Sequence, residues 1–344
     1  MYREEFPPLR WLTSWLPRLL VAGSFALGAC DAGDTTAPSA GDATVSPARG
    51  PIPQACIGCP VVSSHILFAT WDGDTHNDIY SMNPDGTGRK PVFVSQADDR
   101  EPAWSPNYTR IVFSRDHNGQ NSFNGLWTVG WDGSQLFRIT NYWADRGPKW
   151  GKTNRIAFYS IRGAEGSNTN EIYTINPDST GLTRLTSNAA EDRHPDWSPD
   201  GSKIVFASDR KGRLRGAMHL WVMNADGTGL KQLTSGAGED QPAWSPDGTR
   251  IAYSTLAGGN PTAVMVMNAD GTNPKLLVSG FAPAPWGWVE YHPGQPTWSL
   301  DSKTIAFTSD QNGHNEIFSI PVAGGQGQKL TPQGPQDQYP AWSH

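Results

Sequence analysis

The sequence predicts an all-β fold, a six-bladed β-propeller of four-stranded antiparallel blades whose ring is closed by pairing of the N- and C-terminal strands. Three observations carry that expectation. Trp104, Trp150, Trp197, Trp244, Trp298 and Trp342 recur at intervals of 46, 47, 47, 54 and 44 residues. Most of them stand in one phrase, fullest in Pro242-Ala243-Trp244-Ser245-Pro246-Asp247-Gly248 and Pro195-Asp196-Trp197-Ser198-Pro199-Asp200-Gly201, each followed by an apolar run such as Ile251-Ala252-Tyr253. The last copy, Tyr339-Pro340-Ala341-Trp342-Ser343, has no apolar run after it, whereas the first apolar run of the array has no such phrase before it.

Residues 195–234 serve as the type repeat. Pro195 to Ser198 reads as a short strand, and Ser198-Pro199-Asp200-Gly201 has proline and glycine where a tight turn wants them. Lys203 to Ser208 and His219 to Met223 alternate with β-branched and aromatic residues, Asn224-Ala225-Asp226-Gly227 turns the chain, and Lys231 to Thr234 ends the unit. Residues 65–95 supply His65-Ile66-Leu67-Phe68, Asp78 to Met82 and Pro91 to Val94, three strands lacking a first one. The C-terminal phrase is that missing strand, and pairing it there removes the open edges of the array. A blade this small cannot bury both faces alone, so neighbours must stack, and the repeated tryptophan is expected to pack between them.

The ring is assigned to residues 61–344. Before it, Arg3, Arg10 and Arg18 precede an apolar run from Leu19 to Ala29, too short to span a bilayer but suited to an export signal over residues 1–29. Leu27-Gly28-Ala29-Cys30 resembles the lipobox of bacterial lipoproteins, which implies lipidation of Cys30 and a membrane anchor. Residues 30–60 then form a flexible linker, because residues 31–54 hold almost no large apolar side chain. In an oxidising compartment Cys56 and Cys59 are expected to form a local disulfide. The expected location is the bacterial cell envelope, and the expected state a monomer. Net charge is −6 with no basic patch, so nucleic acid is not an expected partner.

The phrase at 242–254, continued by Val266-Met267-Asn268-Ala269-Asp270-Gly271-Thr272, is similar to the repeats of the TolB-like propeller family, and so are the endings Lys231-Gln232-Leu233-Thr234 and Thr183-Arg184-Leu185-Thr186. The resemblance covers nearly all of 61–344 and implies the fold; TolB proteins themselves carry an α/β domain ahead of the propeller, where the linker stands here. The same repeats occur in peptidases and in polysaccharide lyases, so function has to be read from the site. The hydrolase elbow Gly-x-Ser-x-Gly of the peptidases is not found.

Five residues before the repeat tryptophans stand Asp99, Asp145, Asp192, Glu239 (followed by Asp240), Pro293 and Asp337. Placed at the channel mouth, these carboxylates meet a partner or a divalent cation such as calcium; alternatively they cap backbone N–H groups and tie blades together. Asp72-Gly73-Asp74-Thr75-His76-Asn77-Asp78 looks like a fragment of a calcium loop without its downstream glutamate. His76, His117, His194, His219, His292 and His314 map to the same variable face, with His194 and His292 as candidate metal ligands. The long interval carries Trp286, Trp288 and Tyr291, which with Trp143, Tyr142 and Trp71 offer a stacking surface. No nucleophile–base pair emerges. The reading is a membrane-tethered binding module for an envelope protein or peptide; the alternative is a metal-dependent polysaccharide lyase or hydrolase at the channel mouth.

Overall fold

The computed structural model describes residues 64–343 apart from 72, 74–75, 117–123, 164–168, 212–216, 237, 258–259, 280–293, 311–313 and 333. Six separate four-stranded antiparallel sheets correspond to the six repeats. Their first strands are Gln336–Trp342, Asp98–Trp104, Arg146–Trp150, Asp192–Trp197, Glu239–Trp244 and Gly294–Trp298, in blades 1 to 6. The second strands are Ile66–Trp71, Arg110–Asp116, Ile156–Ser160, Lys203–Ser208, Arg250–Ala257 and Thr304–Ser309. Third and shorter fourth strands complete each sheet, for instance His219–Asn224 and Lys231–Gln232 in blade 4. Among the described residues there is no helix.

Blade 1 joins the two ends of the array, as the sequence predicts. Ile66 pairs with Trp342, Leu67 with Ala341 and Thr70 with Asp337. Beyond the last pair, the Ser343 N–H donates to the His65 carbonyl at 2.9 Å and the His65 N–H donates to Ser343 Oγ at 2.9 Å.

The two tight turns of a blade are built by short side chains. Ser198 Oγ donates to Asp200 Oδ1 at 2.6 Å, and the Ser202 N–H donates to the same oxygen at 3.0 Å. In the second turn Asp226 Oδ1 accepts from the Thr228 N–H at 3.0 Å and from Thr228 Oγ1 at 2.7 Å. Glycine follows the aspartate for two reasons. Gly227 has φ +88, and a Cβ there would lie 2.9 Å from the Leu185 carbonyl oxygen of the preceding blade.

The core is divided among the interfaces between blades, and six apolar clusters fill the six interfaces. Between blades 2 and 3, Val112 and Leu126 meet Ile156, Phe158 and Tyr173. Between blades 6 and 1, Ala306 and Ile317 meet Ile66, Phe68 and Trp342. One aromatic of each second strand recurs in these clusters, and Phe68, Phe113, Phe158 and Phe206 are fully buried, each contributing about 1.5–3 kcal/mol by leaving water. The repeat tryptophans stand at the same interfaces. Trp104, Trp197 and Trp298 donate from Nε1 to the carbonyls of Ala341, Lys149 and Ala243, each one residue before the repeat tryptophan of the preceding blade, at 3.2, 3.1 and 2.9 Å. Trp150 and Trp244 instead bond within their own turns, to Asn154 Oδ1 and the Gly248 carbonyl.

Candidate functional site

Every first strand slips its register against the second at the same place. The shifts fall between Arg100 and Ala103, Arg146 and Lys149, Arg193 and Asp196, Asp240 and Ala243, and Gly294 and Thr297, and opposite Leu67 and Ala69 in blade 1. Each bulge contains a residue followed by proline: Glu101-Pro102, Gly147-Pro148, His194-Pro195, Gln241-Pro242, Gln295-Pro296 and Tyr339-Pro340. Proline has no N–H for the ladder, so it sits where pairing is already interrupted. The residue before it turns left-handed in all six blades, with φ of 55, 58, 50, 51, 33 and 57 in blades 2 to 6 and then blade 1. Five of the six are not glycine, and each pays about 1–2 kcal/mol for that conformation. These six residues and their prolines line the central channel.

Hydrogen bonds between blades hold the strained ring. Glu101 Oε2 accepts from the Gly147 N–H at 2.7 Å and from Ser114 Oγ at 2.7 Å. Gln241 Oε1 accepts from the Gln295 N–H at 2.9 Å, and Gln295 Oε1 from the Tyr339 N–H at 2.8 Å. The Gln241 N–H donates to Asp240 Oδ1 at 2.8 Å. Gly147 has no side chain to offer, and Tyr159 of the second strand lies over it, with its hydroxyl 3.4 Å from Glu101 Oε1 and its ring edge-on to His194 at 5.1 Å. Burial pushes the Tyr159 phenol well up.

Asp240 anchors the next part of the wall. His194 Nδ1 lies 2.8 Å from its Oδ1, and Arg193 Nη2 lies 2.7 Å from its Oδ2. Burial alone would raise the Asp240 carboxyl, but His194 and Arg193 beside it outweigh that and hold the group well below the usual carboxylate range.

The carboxylates expected at the channel mouth occupy a different environment. Asp99, Asp145, Asp192 and Asp337 are fully buried, and each is held by an arginine: Arg115, Arg162, Arg210 and Arg89. Arg115 Nε is 2.7 Å from Asp99 Oδ1, and its guanidinium is 5.2, 5.6 and 5.0 Å from the ring centroids of Phe93, Phe113 and Trp127. Burial pushes Asp99, Asp145 and Asp337 up, while Arg115, Arg162 and Arg89 pull them down. The corresponding Glu239 lies 3.0 Å from His219 Nδ1. The expectation of exposed acids at these positions is therefore corrected: an unpaired buried carboxylate is costly, and these four are neutralised within their blades rather than offered to a partner. Their backbone ties blade to blade, since the N–H groups of Asp99, Asp192 and Asp337 donate to the carbonyls of Asn77, Asn170 and Asn315.

Three of the described histidines hold separate partners, His194 at Asp240, His219 at Glu239 and His314 at Gln336. Among the described residues no three His, Cys, Asp or Glu side chains are grouped to hold a metal ion. Trp143 is 48% exposed beside Tyr142, with ring centroids 6.2 Å apart. Cys30, Cys56, Cys59, Trp286, Trp288, Tyr291 and His292 lie outside the described residues.

Two features escape a reading centred on tryptophans and acids. Two residues before each repeat tryptophan is always a proline, and the residue before that proline lines the channel. Four residues before each tryptophan come Arg100, Arg146, Arg193, Asp240, Gly294 and Gln338. The three arginines fall on consecutive blades and are about a third exposed, at 36%, 28% and 30% of the side chain.

Residues 148–283 match the TolB beta propeller domain family. A Protein TolB homolog of Chlorobium luteolum is 28% identical over 152 residues, which cover 44% of this chain and 33% of that one, so the match spans a third of the relative's length. The crystal structure of TolB from Acinetobacter baumannii superposes with a TM-score of 0.68 at 18% identity, covering 81% of this chain and 66% of that one. A chain of a Nidogen/Laminin complex superposes at 0.62 and 12% identity, covering 82% and 98%, and shares the fold alone. The recurrent phrase, the six blades and these likenesses agree, and the chain is a TolB-like six-bladed β-propeller.

Proposed function

We propose that this propeller is a membrane-tethered module of the bacterial cell envelope that binds a protein or peptide partner at the face where its channel opens. The observation that carries the reading is the channel ring. Six strained bulges repeat the same backbone, yet they present Glu101, Gly147, His194, Gln241, Gln295 and Tyr339, six positions of which only the two glutamines repeat a residue type. Strain that a fold maintains at one opening, with side-chain chemistry varied position by position, marks a recognition site rather than a packing device. The half-exposed Trp143 on the same variable face supplies an apolar anchor of the kind that protein interfaces use.

In this reading residues 1–29 direct export, Cys30 carries the lipid, residues 30–60 tether the ring, Cys56 and Cys59 form a disulfide, and the ring acts as a monomer. Two experiments test it. A photo-crosslinking amino acid at 143 or 339 captures an envelope partner in cells, whereas the same probe at 226, on the tight-turn face, does not; equal capture from both faces refutes the site. Metabolic labelling with an alkyne fatty acid marks the protein, and Cys30→Ser abolishes the label and frees the protein from membranes; a label that survives the substitution refutes the anchor.

A further inference from the structure

The hydrogen bonds that hold the channel ring consume its acceptors. Gln241 spends Oε1 on the Gln295 N–H and Ser254 Oγ, and Gln295 spends Oε1 on the Tyr339 N–H. Fixing the carbonyl ends of these amides fixes the other ends too. Both Nε2 groups therefore remain as donors in the channel wall, with no acceptor among the described residues. Beside them, Arg193 commits Nη2 to Asp240, while its buried Nε finds no acceptor among the described residues; the buried Nε of Arg100 is in the same position. A buried donor of a charged group left unmatched costs free energy that a ligand acceptor recovers.

We infer that the channel wall at Gln241 and Gln295, with Arg193 next to it on the flank of Asp240, receives a carboxylate of an acidic peptide segment. The inference rests on the peptide-binding reading and names the chemistry of the partner. A carboxylate offers about four acceptor sites and matches both a guanidinium and amide N–H groups. The channel is otherwise lined by the six proline rings, Tyr339 and His194, apolar and aromatic flanks suited to an extended chain, with one charge of each sign, Glu101 and Lys149, on blades 2 and 3. Long-range charge does not account for such binding. The chain carries −6, which repels an acidic peptide, so attraction has to come from local donors.

The test uses the folded propeller and fluorescein-labelled hexa-aspartate, hexa-asparagine and a uronic acid trimer, read by fluorescence anisotropy. Hexa-aspartate is expected to bind, and hexa-asparagine to bind at least about tenfold more weakly. Gln241→Glu and Gln295→Glu keep the Oε acceptor that the ring needs but replace the channel-facing donor by a carboxylate oxygen. Each is expected to leave the thermal midpoint within a few degrees of wild type and to weaken hexa-aspartate binding at least about tenfold. Arg193→Met is expected to weaken it as well. Equal binding of both hexapeptides overturns the carboxylate assignment while leaving the peptide reading in place. Unchanged affinity in both glutamate variants also overturns it. Binding of the uronic acid trimer alone overturns the inference and the peptide reading together. No binding of any probe overturns the inference, and the crosslinks from 143 and 339 then decide the peptide reading separately.

Discussion

Gly147 of the channel wall and Tyr159 behind it compete for one place, since a Cβ at residue 147 would lie 2.5 Å from Tyr159 Cε1. Blade 3 thus replaces the missing side chain of its first strand with one from its second. The phenol links Glu101 of blade 2 to His194 of blade 4 across that gap. Gly147→Ala is expected to lower stability by about 2–5 kcal/mol, combining left-handed strain with displacement of the tyrosine ring. Urea denaturation measures the loss, and Tyr159→Ala combined with it should recover part of the overpacking share.

The repeat tryptophans are not energetically equal. Trp298 is 1% exposed and straps blade 6 to blade 5 through the Ala243 carbonyl. Trp150 is half-buried and bonds inside its own turn. Trp298→Ala is expected to cost about 3–5 kcal/mol, and Trp150→Ala clearly less, as compared by urea midpoints at constant slope.

The Asp99–Arg115 pair is buried on both sides, at 0% and 8% side-chain exposure. Removing one partner strands the other charge. Arg115→Met alone is expected to destabilise by about 3–5 kcal/mol, and Asp99→Asn with Arg115→Met to destabilise by less than the sum of the two single changes. A double-mutant cycle gives the coupling directly.

Acid stability should report Asp240. Its carboxyl is held below the unfolded value of about 3.9, so ionisation favours the folded chain. That contribution is complete above about pH 4 and is lost as pH falls below it towards the folded value. Asp99, Asp145 and Asp337 are raised, so their ionisation favours the unfolded chain, and their contribution declines as pH rises through their folded values. Asp240→Asn is expected to give a shallower fall of the urea midpoint between pH 6 and pH 3 than wild type. The fall should not vanish, because turn aspartates such as Asp200, held down to about 2 by Ser198 and Ser202, remain.

Much of this architecture is written in local chemistry. Pro-Asp-Gly and Ala-Asp-Gly fix the turns, two-residue alternation fixes the strands, and the lone phrase ending at Ser343 fixes the closure. The interior of the site is written less plainly. Asp99 looks like a channel acid until Arg115 is placed sixteen positions later, and the arginine that holds Asp337 is Arg89, at the far end of the chain. The Asp99, Asp145 and Asp192 pairs share a spacing of 16, 17 and 18 positions and belong to the repeat, whereas the Asp337–Arg89 pair, 248 positions apart, arises only when the ring closes. The bulge residues were within reach, since a proline recurs two positions before every tryptophan; their left-handed backbone was not, because Glu, His, Gln and Tyr carry no mark of it.

The strand Gln336–Trp342 is the last part of the ring to be synthesised, and the strand it must pair with, Ile66–Trp71, is among the first. Until Gln336–Trp342 has been made, the early strand keeps a row of backbone donors and acceptors unanswered. Five blades can assemble behind it, but none of them can supply that row. Native folding therefore has its final step tied to the arrival of this strand, and a ring made without it is left with an adhesive edge rather than a slightly smaller propeller. Quality control has a simple criterion in such a molecule: a closed ring shows no edge, and any edge still on display belongs to an unfinished one.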